Sequence, residues 1–324
     1  MAEGAPSEAR ALSVGQIQRT PAASEVEGRG PLRLAWSRFR GDRVGIASAI
    51  VILLIVALAL AAPLIAQFVG HDPNAQYRDI GLSPEGIPVG PSRTFLFGTD
   101  DLGRDVFVRV VYGTRISLVA GVLASGLAVL VGVLVGLTAG YFGSTVDAVL
   151  ARSMDVVLSF PYLLFALALV SIIGPSLPLS IVVIAFFSWA SVGRVVRGQT
   201  LSLREKEFVE AARSLGASDL RIMFVDILPN LTAPIVVYAT LLIPLSIVFE
   251  ATLSFLGLGI VPPTPAWGEM LAGSVAYYKV AWWFVIAPGA ALLITTLAFN
   301  LLGDSIRDAL DPRGQLLFHR GRRT

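Results

Sequence analysis

An all-α polytopic membrane protein with six transmembrane helices is the fold class this sequence predicts, and three observations carry the prediction. Only 15% of the 324 residues are charged while 55% are apolar, against about 25% charged in a soluble domain. Too little polar surface is available to face water, so lipid must cover most of the chain. Six apolar runs of about 20 residues are each long enough to cross roughly 30 Å of hydrocarbon as a helix. Nothing resembles the short alternating segments of an outer-membrane barrel, and a helix satisfies its own backbone hydrogen bonds in lipid. The absence of cysteine, together with only two histidines, His71 and His319, leaves no disulfide framework, thiolate metal site or cysteine nucleophile, and little scope for imidazole chemistry.

In chain order, residues 1–43 form a polar tail, and 1–30, rich in Ala, Glu, Ser and Arg without apolar period, are expected to be disordered. The first span is 44–66, Val44 to Ala66. It is too long, and lies too far into the chain, for a cleaved signal peptide, and reads as a retained anchor helix. An external segment, 67–115, follows, with turn residues at Gly81, Pro84, Gly86, Pro88, Gly90 and Pro91. A core, 116–303, then holds the other five spans: Ile116 to Gly140, Val156 to Ile173, Leu179 to Val196, Thr232 to Phe255 and Trp282 to Leu302. The third and fourth are separated only by Gly174-Pro175-Ser176-Leu177-Pro178. The second carries a small residue at every fourth position, Ala120, Ala124, Ala128, Gly132, Gly136 and Gly140, a stripe along which another helix can approach closely. Residues 304–324 form a second polar tail, whose basic end, Arg313 to Arg323, suits either anionic headgroups or simple retention of topology.

Orientation follows from where the basic residues lie. With six spans threaded, 19 Lys and Arg fall on the side of both termini and 6 on the other. By the positive-inside rule both termini are expected in the cytoplasm, with Tyr277, Tyr278, Trp282 and Trp283 at the outer interface.

The loop between the fourth and fifth spans, 198–231, has a helical code of its own. Ser202-Leu203-Arg204-Glu205 reads as a capping box that starts a helix. Phe208, Ala211, Ala212 and Leu215 recur at i, i+3, i+4 and i+7, and Gly216 is placed to end that helix in the left-handed conformation. Ser218-Asp219 can cap a second helix, with Leu220, Met223, Phe224 and Ile227 on one stripe before Pro229 breaks it. Two short amphipathic helices of this kind either rest on lipid and the chain's own helix ends or form a docking element for a partner protein.

Chemistry-bearing residues are few. Glu250 is the one ionisable residue well inside a predicted span, about 27 Å along its helix, and reads either as a wet interfacial glutamate or as part of a pathway. No chain of buried Asp, Glu and His suggests a proton relay, and no Walker A or HExxH sequence is present. A proton-driven carrier and an intramembrane enzyme are both disfavoured on these grounds. The acidic cluster Asp100, Asp101 and Asp105 is interleaved with Arg104 and Arg109, which favours salt pairing over a metal site. Pro262 to Pro265 point to a stiff outer loop, and Trp267 suits either an interfacial anchor or a contact with a partner protein outside.

Glu210-Ala211-Ala212, three residues, Gly216, then Leu228-Pro229 resembles the EAA signature of membrane-spanning subunits of ABC importers. One position departs, Asp226 standing where that pattern usually has an aliphatic residue. Phe97-Gly98-Thr99-Asp100-Asp101-Leu102-Gly103-Arg104-Asp105-Val106 is similar to the GTDxxGRDV stretch of the dipeptide, oligopeptide and nickel permease group. Tyr112 to Leu118, Ser159-Phe160-Pro161, Leu253 to Gly259, Pro262 to Gly268, Asn300 to Asp304 and Leu310 to Arg313 extend the resemblance, and Leu32 to Ala66 is similar to the group's amino-terminal helix segment. The resemblance is to the second permease of the pair in such systems. It implies a type I ABC importer permease fold in a bacterial inner membrane, a homologous second permease subunit, two cytoplasmic ATPase subunits that hold ATP and Mg, and an extracytoplasmic binding protein. No cofactor, metal or nucleic acid is implied for this chain itself. Its expected cargo is di- or oligopeptides, with nickel or oligosaccharide as the alternative. The resemblance assigns coupling to the ATPase to Phe208, Glu210, Ala211, Ala212, Leu215, Gly216, Leu228 and Pro229, and the outer family motif to Gly98, Thr99, Asp100, Gly103, Arg104 and Asp105.

Overall fold

A computed structural model describes residues 31–310. The disorder expected for 1–30, the basic end Arg313 to Arg323 and the Asp311-Pro312-Arg313 part of the last motif lie outside the described residues. The chain runs as α1 (Pro31–Phe39), α2 (Arg43–Val69), α3 (Arg78–Gly81), α4 (Val106–Phe142), α5 (Ser144–Ser159), α6 (Tyr162–Ile173), α7 (Leu177–Leu203), α8 (Glu207–Ser214), α9 (Asp219–Arg221), α10 (Leu228–Phe255), α11 (Trp267–Ser274) and α12 (Trp282–Leu310). No β-strand occurs among the described residues, only the isolated bridges Leu82 to Pro88 and Thr99 to Asp105. Among the described residues five helical rods are long and apolar enough to span a membrane, or six where the bent pair α5–α6 counts as one span.

Each boundary has a local cause. Asp42 caps α2 by accepting from the Val44 amide at 2.9 Å, and Gly70, at φ 80°, closes it. The helix buries small residues, Ala59, Ala62 and Ala66, and leaves Leu53, Leu54, Leu60 and Leu64 exposed for lipid. Asp105 caps α4 through the Val108 amide, so this helix begins ten residues before the expected Ile116. At 37 residues it is about 55 Å long, well beyond the hydrocarbon thickness. Its first turns are covered by protein instead of lipid, with Val106, Val108 and Arg109 buried.

The third span differs from the single rod expected over Val156 to Ile173. Phe160 is extended and Pro161 follows it, so α5 and α6 meet at an 82° bend. The capping box at Ser202 does not form. α7 continues through Ser202 to Leu203, and α8 starts at Glu207 behind Lys206, which makes no side-chain cap. Packing against α4 outweighs the local signal here, because Thr200 of α7 still presses on Gly140. Nor does Pro229 break the helix that follows. Asp219–Phe255 is one rod in which Ile222–Ile227 winds as a π-helix, a register that accommodates the proline's missing N–H and its steric demand on the preceding turn.

The bundle is organised around α4, which touches α2, α5, α7, α10, α11 and α12. The small-residue stripe is where α7 lies. A Cβ on Gly132 would stand 2.5 Å from Val192 Cβ, one on Gly136 2.4 Å from the Gly193 carbonyl oxygen, and one on Gly140 2.5 Å from Thr200 Cβ. Ala120, Ala124 and Ala128 are wholly buried.

Candidate functional site

At the end of the bundle where α4 finishes and α7 finishes, α8 and α9 project as a turned-back loop. The helix α8 ends in a complete Schellman motif: the Gly216 amide donates to Arg213 and the Ala217 amide to Ala212, with Gly216 at φ 77°. Its inward residue is Val209, which is wholly buried, whereas Phe208 and Leu215 face outward, Leu215 being 88% exposed. Of the apolar stripe, Ala212 is half-buried while Phe208, Ala211 and Leu215 are exposed, as are Glu210 and Gly216. Leu220 and Phe224 are exposed too, while Met223 and Ile227 of the same expected stripe turn inward. Leu228 is half-buried and Pro229 exposed at the start of α10.

This loop is tied firmly to the spans. Val209, Ile222, Met223 and Ile227 share a core cluster with Tyr141, Val192, Val196 and Leu242 of α4, α7 and α10. The Tyr141 hydroxyl donates to Asp219 at 2.6 Å, and Arg204 donates to the Gly140 carbonyl at 3.3 Å. Asp147 of α5 accepts two hydrogen bonds from Arg197 of α7, that from Nη2 being 2.7 Å.

The opposite end carries a buried ionic cap. Thr99 Oγ1 donates to the Gly81 carbonyl at 2.5 Å and accepts from the Val89 amide at 2.9 Å, which folds the 80s loop onto the 98–105 turn. Gly98 and Gly103 sit at positive φ, and the Gly98 site is closed by Trp283. Asp100 accepts from Arg104 Nε at 2.6 Å, and Arg109 places Nε 3.4 Å from the same carboxylate and Nη2 2.9 Å from Glu269 on α11. Arg109 Nη1 adds the carbonyls of Pro73, at 2.9 Å, and Pro263, at 3.3 Å. Asp105 pairs with His71 Nδ1 at 2.6 Å. Burial, and after it the neighbouring Asp100 carboxylate, pushes the Asp101 carboxyl above the usual carboxylate range. The cluster is therefore salt-paired, and among the described residues no group of three or more His, Cys, Asp or Glu could hold a metal ion.

Glu250 does not sit in a wet interface. It is wholly buried, its two oxygens accepting from Ser117 at 3.1 Å and Ser254 at 2.6 Å, so it joins α4 to α10 inside the protein. Trp267 is likewise neither an interfacial anchor nor a surface contact: it has no exposed area and donates to the Val110 carbonyl at 3.2 Å.

Comparison with known proteins decides the family. Residues 132–315 match the family described as binding-protein-dependent transport system inner membrane component, and residues 30–84 match the N-terminal TM domain of oligopeptide transport permease C. The chain belongs to this permease family. The permease is 41% identical over 283 residues to the di/tripeptide transport system permease protein DppC of Pseudomonas aeruginosa (strain UCBPP-PA14), a match covering 87% of this chain and 92% of that one. It is 41% identical over 285 residues to the glutathione transport system permease protein GsiD of Escherichia coli O6:K15:H31 (strain 536 / UPEC), covering 88% and 91%. In fold it is similar to an inward-facing MetNI methionine ABC transporter chain, with TM-score 0.53 and 18% identity over 63% of this chain and 97% of that one. The permease is thus a multi-pass inner membrane protein of the ABC importer type.

In this permease His71, Asn74 and Glu269 belong to the ionic cap although no motif marks them. A glutamate two residues after a buried tryptophan, and a histidine just beyond a helix-closing glycine, carry no periodic signal. Their distances from Arg109 and Asp105 along the chain, up to 160 residues, hide the pairing from any local reading.

Proposed function

We propose that this permease forms half of the translocation pathway of an ATP-driven importer of di- or oligopeptides, and that the 207–228 loop receives the movement of a cytoplasmic ATPase. The observation that carries the cargo is the 41% identity, over nearly the whole of both chains, to a permease named for di- and tripeptides. The loop geometry supports the coupling. Phe208, Leu215, Leu220 and Phe224 offer an exposed apolar patch at a helix end, and large exposed apolar patches mark partner surfaces. Val209, Ile222 and Ile227 on its other side are fixed in the core. A push on the patch therefore moves α4, α7 and α10 as a body, and rigid-body movement of packed elements is how such bundles switch between two arrangements. In this reading both termini and the 207–228 loop face the cytoplasm, and the 67–105 segment lies beneath the binding protein outside. A homologous second permease completes the pathway. ATP and Mg reside on the two ATPase subunits, and this chain catalyses nothing itself.

Two substitutions test the coupling. Leu215→Asp places a charge on a residue that touches little of its own chain, so the permease is expected to reach the membrane normally. It is expected to lose copurifying ATPase by about tenfold or more, the order of a central interface residue; wild-type ATPase recovery would count against the loop as the docking element. Gly216→Val forces a β-branched residue to φ 77° at a local cost of about 1–3 kcal/mol. Uptake should fall more than membrane abundance does; intact uptake would sink the role assigned to the turn.

A further inference from the structure

The helix α1, just ahead of the first span, stands apart from both the 207–228 loop and the ionic cap. Its sequence places Leu32, Ala35, Trp36 and Phe39 at i, i+3, i+4 and i+7, the period of a helix with one apolar face. Although α1 packs against α12, Trp36 on that face is 59% exposed. Its ring stacks on Phe39 with centroids 6.0 Å apart, and the Arg40 guanidinium lies 5.6 Å from the same indole. The depth of these groups follows from what they adjoin. A two-residue turn, Gly41-Asp42, follows Arg40 and leads into α2, whose first turns already show Val44, Ile46, Ile50, Leu53 and Leu54 exposed. The apolar layer of the bilayer therefore starts next to Arg43. Seven residues, about 11 Å along a helix, separate Trp36 from that boundary, so Trp36, Arg40 and Arg43 stand at the headgroups, where tryptophan and arginine are both favoured.

Arg40 and Arg43 are both exposed, and neither forms an ion pair with any described residue. Contact through its face with Trp36 leaves the in-plane N–H donors of Arg40 open to an acceptor. Asp42, between the two arginines in the chain, is engaged elsewhere: it accepts from the Val44 amide at 2.9 Å and from the Ser305 hydroxyl of α12. Asp304 and Asp308 are exposed on the same end of α12 and pair with neither arginine. The rest of the chain offers no better anion. Residues 311–324 carry four arginines against one aspartate and would be repelled, and residues 1–30 scatter four glutamates among three arginines with no acidic run. What complements two exposed guanidinium groups and an exposed indole at this depth is the phosphate of the bilayer itself.

We propose that Trp36, Arg40 and Arg43 form a binding surface for an anionic phospholipid, the two guanidinium groups donating to its phosphate oxygens and the indole lying beside its glycerol region. Arginine suits this role because its planar fork matches phosphate oxygens. The surface is independent of the importer reading and of which leaflet holds it. Because Ser305 both donates to Asp42 and lies against Gly45, where an added Cβ would stand 2.8 Å from its own, a lipid held here would brace the corner at which α1, α2 and α12 meet.

The test is native mass spectrometry of the intact membrane complex of this permease, released from nanodiscs made of equal parts phosphatidylglycerol and phosphatidylcholine. Phosphatidylglycerol is expected to be retained in preference to phosphatidylcholine. Arg40→Gln and Arg43→Gln should each weaken that retention about fivefold, the effect of one arginine at an anionic surface, and together by more than about tenfold. Replacing both by lysine, which keeps the charge and loses the fork, should retain more lipid than replacing both by glutamine. Arg322→Gln with Arg323→Gln removes the same two charges from the far end of the chain and should leave retention as it is. Where the Arg40 and Arg43 double variant fails to assemble, the lipid preference of the wild type and the two single variants decide. Equal retention of the two lipids, retention unchanged in the Arg40 and Arg43 variants, or an equal loss in the Arg322 and Arg323 control would each overturn the surface. Displacement of the lipid by inorganic phosphate would overturn it too, since the arginines would then hold a soluble anion and not a headgroup fixed in the bilayer.

Discussion

Gly136→Ala, the addition of one methyl group, is expected to be among the most damaging single changes in the spans. The new Cβ would lie 2.4 Å from the Gly193 carbonyl oxygen, 2.9 Å from Val196 Cβ and 3.0 Å from the Arg197 backbone nitrogen. Two of those three atoms are backbone, so no rotamer change relieves the contact and α4 must separate from α7. Overpacking of this kind costs about 1–3 kcal/mol and sometimes more. Here the separation would spread along the neighbouring close approaches at Gly132 and Gly140. The same substitution at Gly126, an exposed position of the same helix with nothing within 4 Å of the added atom, should do the opposite. Removing glycine from a helix interior stabilises by about 0.5–1 kcal/mol. Thermal unfolding of the two purified variants in one detergent should therefore bracket the wild type, Gly136→Ala several degrees below and Gly126→Ala at or above it. Equal midpoints would mean that the stripe is not the surface that brings the two helices together.

That stripe shows what a local pattern can reveal. A four-residue repeat of small side chains speaks of a close neighbour because the reason for smallness lies on the same helix face, even though the neighbour's identity does not. The spans were legible for a similar reason: lipid imposes length and apolarity one segment at a time. Failures came where a distant element set the outcome. Ser202 and Glu205 have the residue types of a helix start, but α4 holds α7 helical through that point. Pro229 carries the signal of a helix end, and a π-helical turn absorbs it. Phe208 and Leu215 share the apolar stripe read as a docking face and are exposed, while Val209, outside that stripe, is the residue that reaches the core. Depth alone leaves Glu250 open between a wet interface and a pathway, because its two serine partners lie one on its own helix and the other 133 residues away. Depth along a helix sets neither which face a residue takes nor what covers it.

The ionic cap makes the second large prediction. Arg109 has no exposed side-chain surface and binds the two carbonyls of Pro73 and Pro263, the Asn74 amide oxygen and the carboxylate of Glu269, so one guanidinium joins α4, the chain after α2, the chain before α11 and α11 itself. Arg109→Met preserves much of the stem and removes the charge. Breaking a buried pair from one side costs about 3–5 kcal/mol, because the abandoned charge remains in a poorly solvated place. Glu269 is that charge, while Asp100 retains Arg104 at 2.6 Å. Hydrogen exchange on the purified complex should then show faster exchange at 70–105 and 262–274, with protection at the interface of α4 and α7 preserved. Adding Glu269→Gln to Arg109→Met removes the stranded carboxylate and should recover part of the loss, giving a coupling energy within the 0.5–3 kcal/mol or so found for residues in one network. Strict additivity of the two substitutions would mean that the arginine holds this end through its carbonyl contacts alone. Recovery in the double variant would instead make the charge pair the clamp that seats α11, and with it the chain leaving α10, against the first turns of α4.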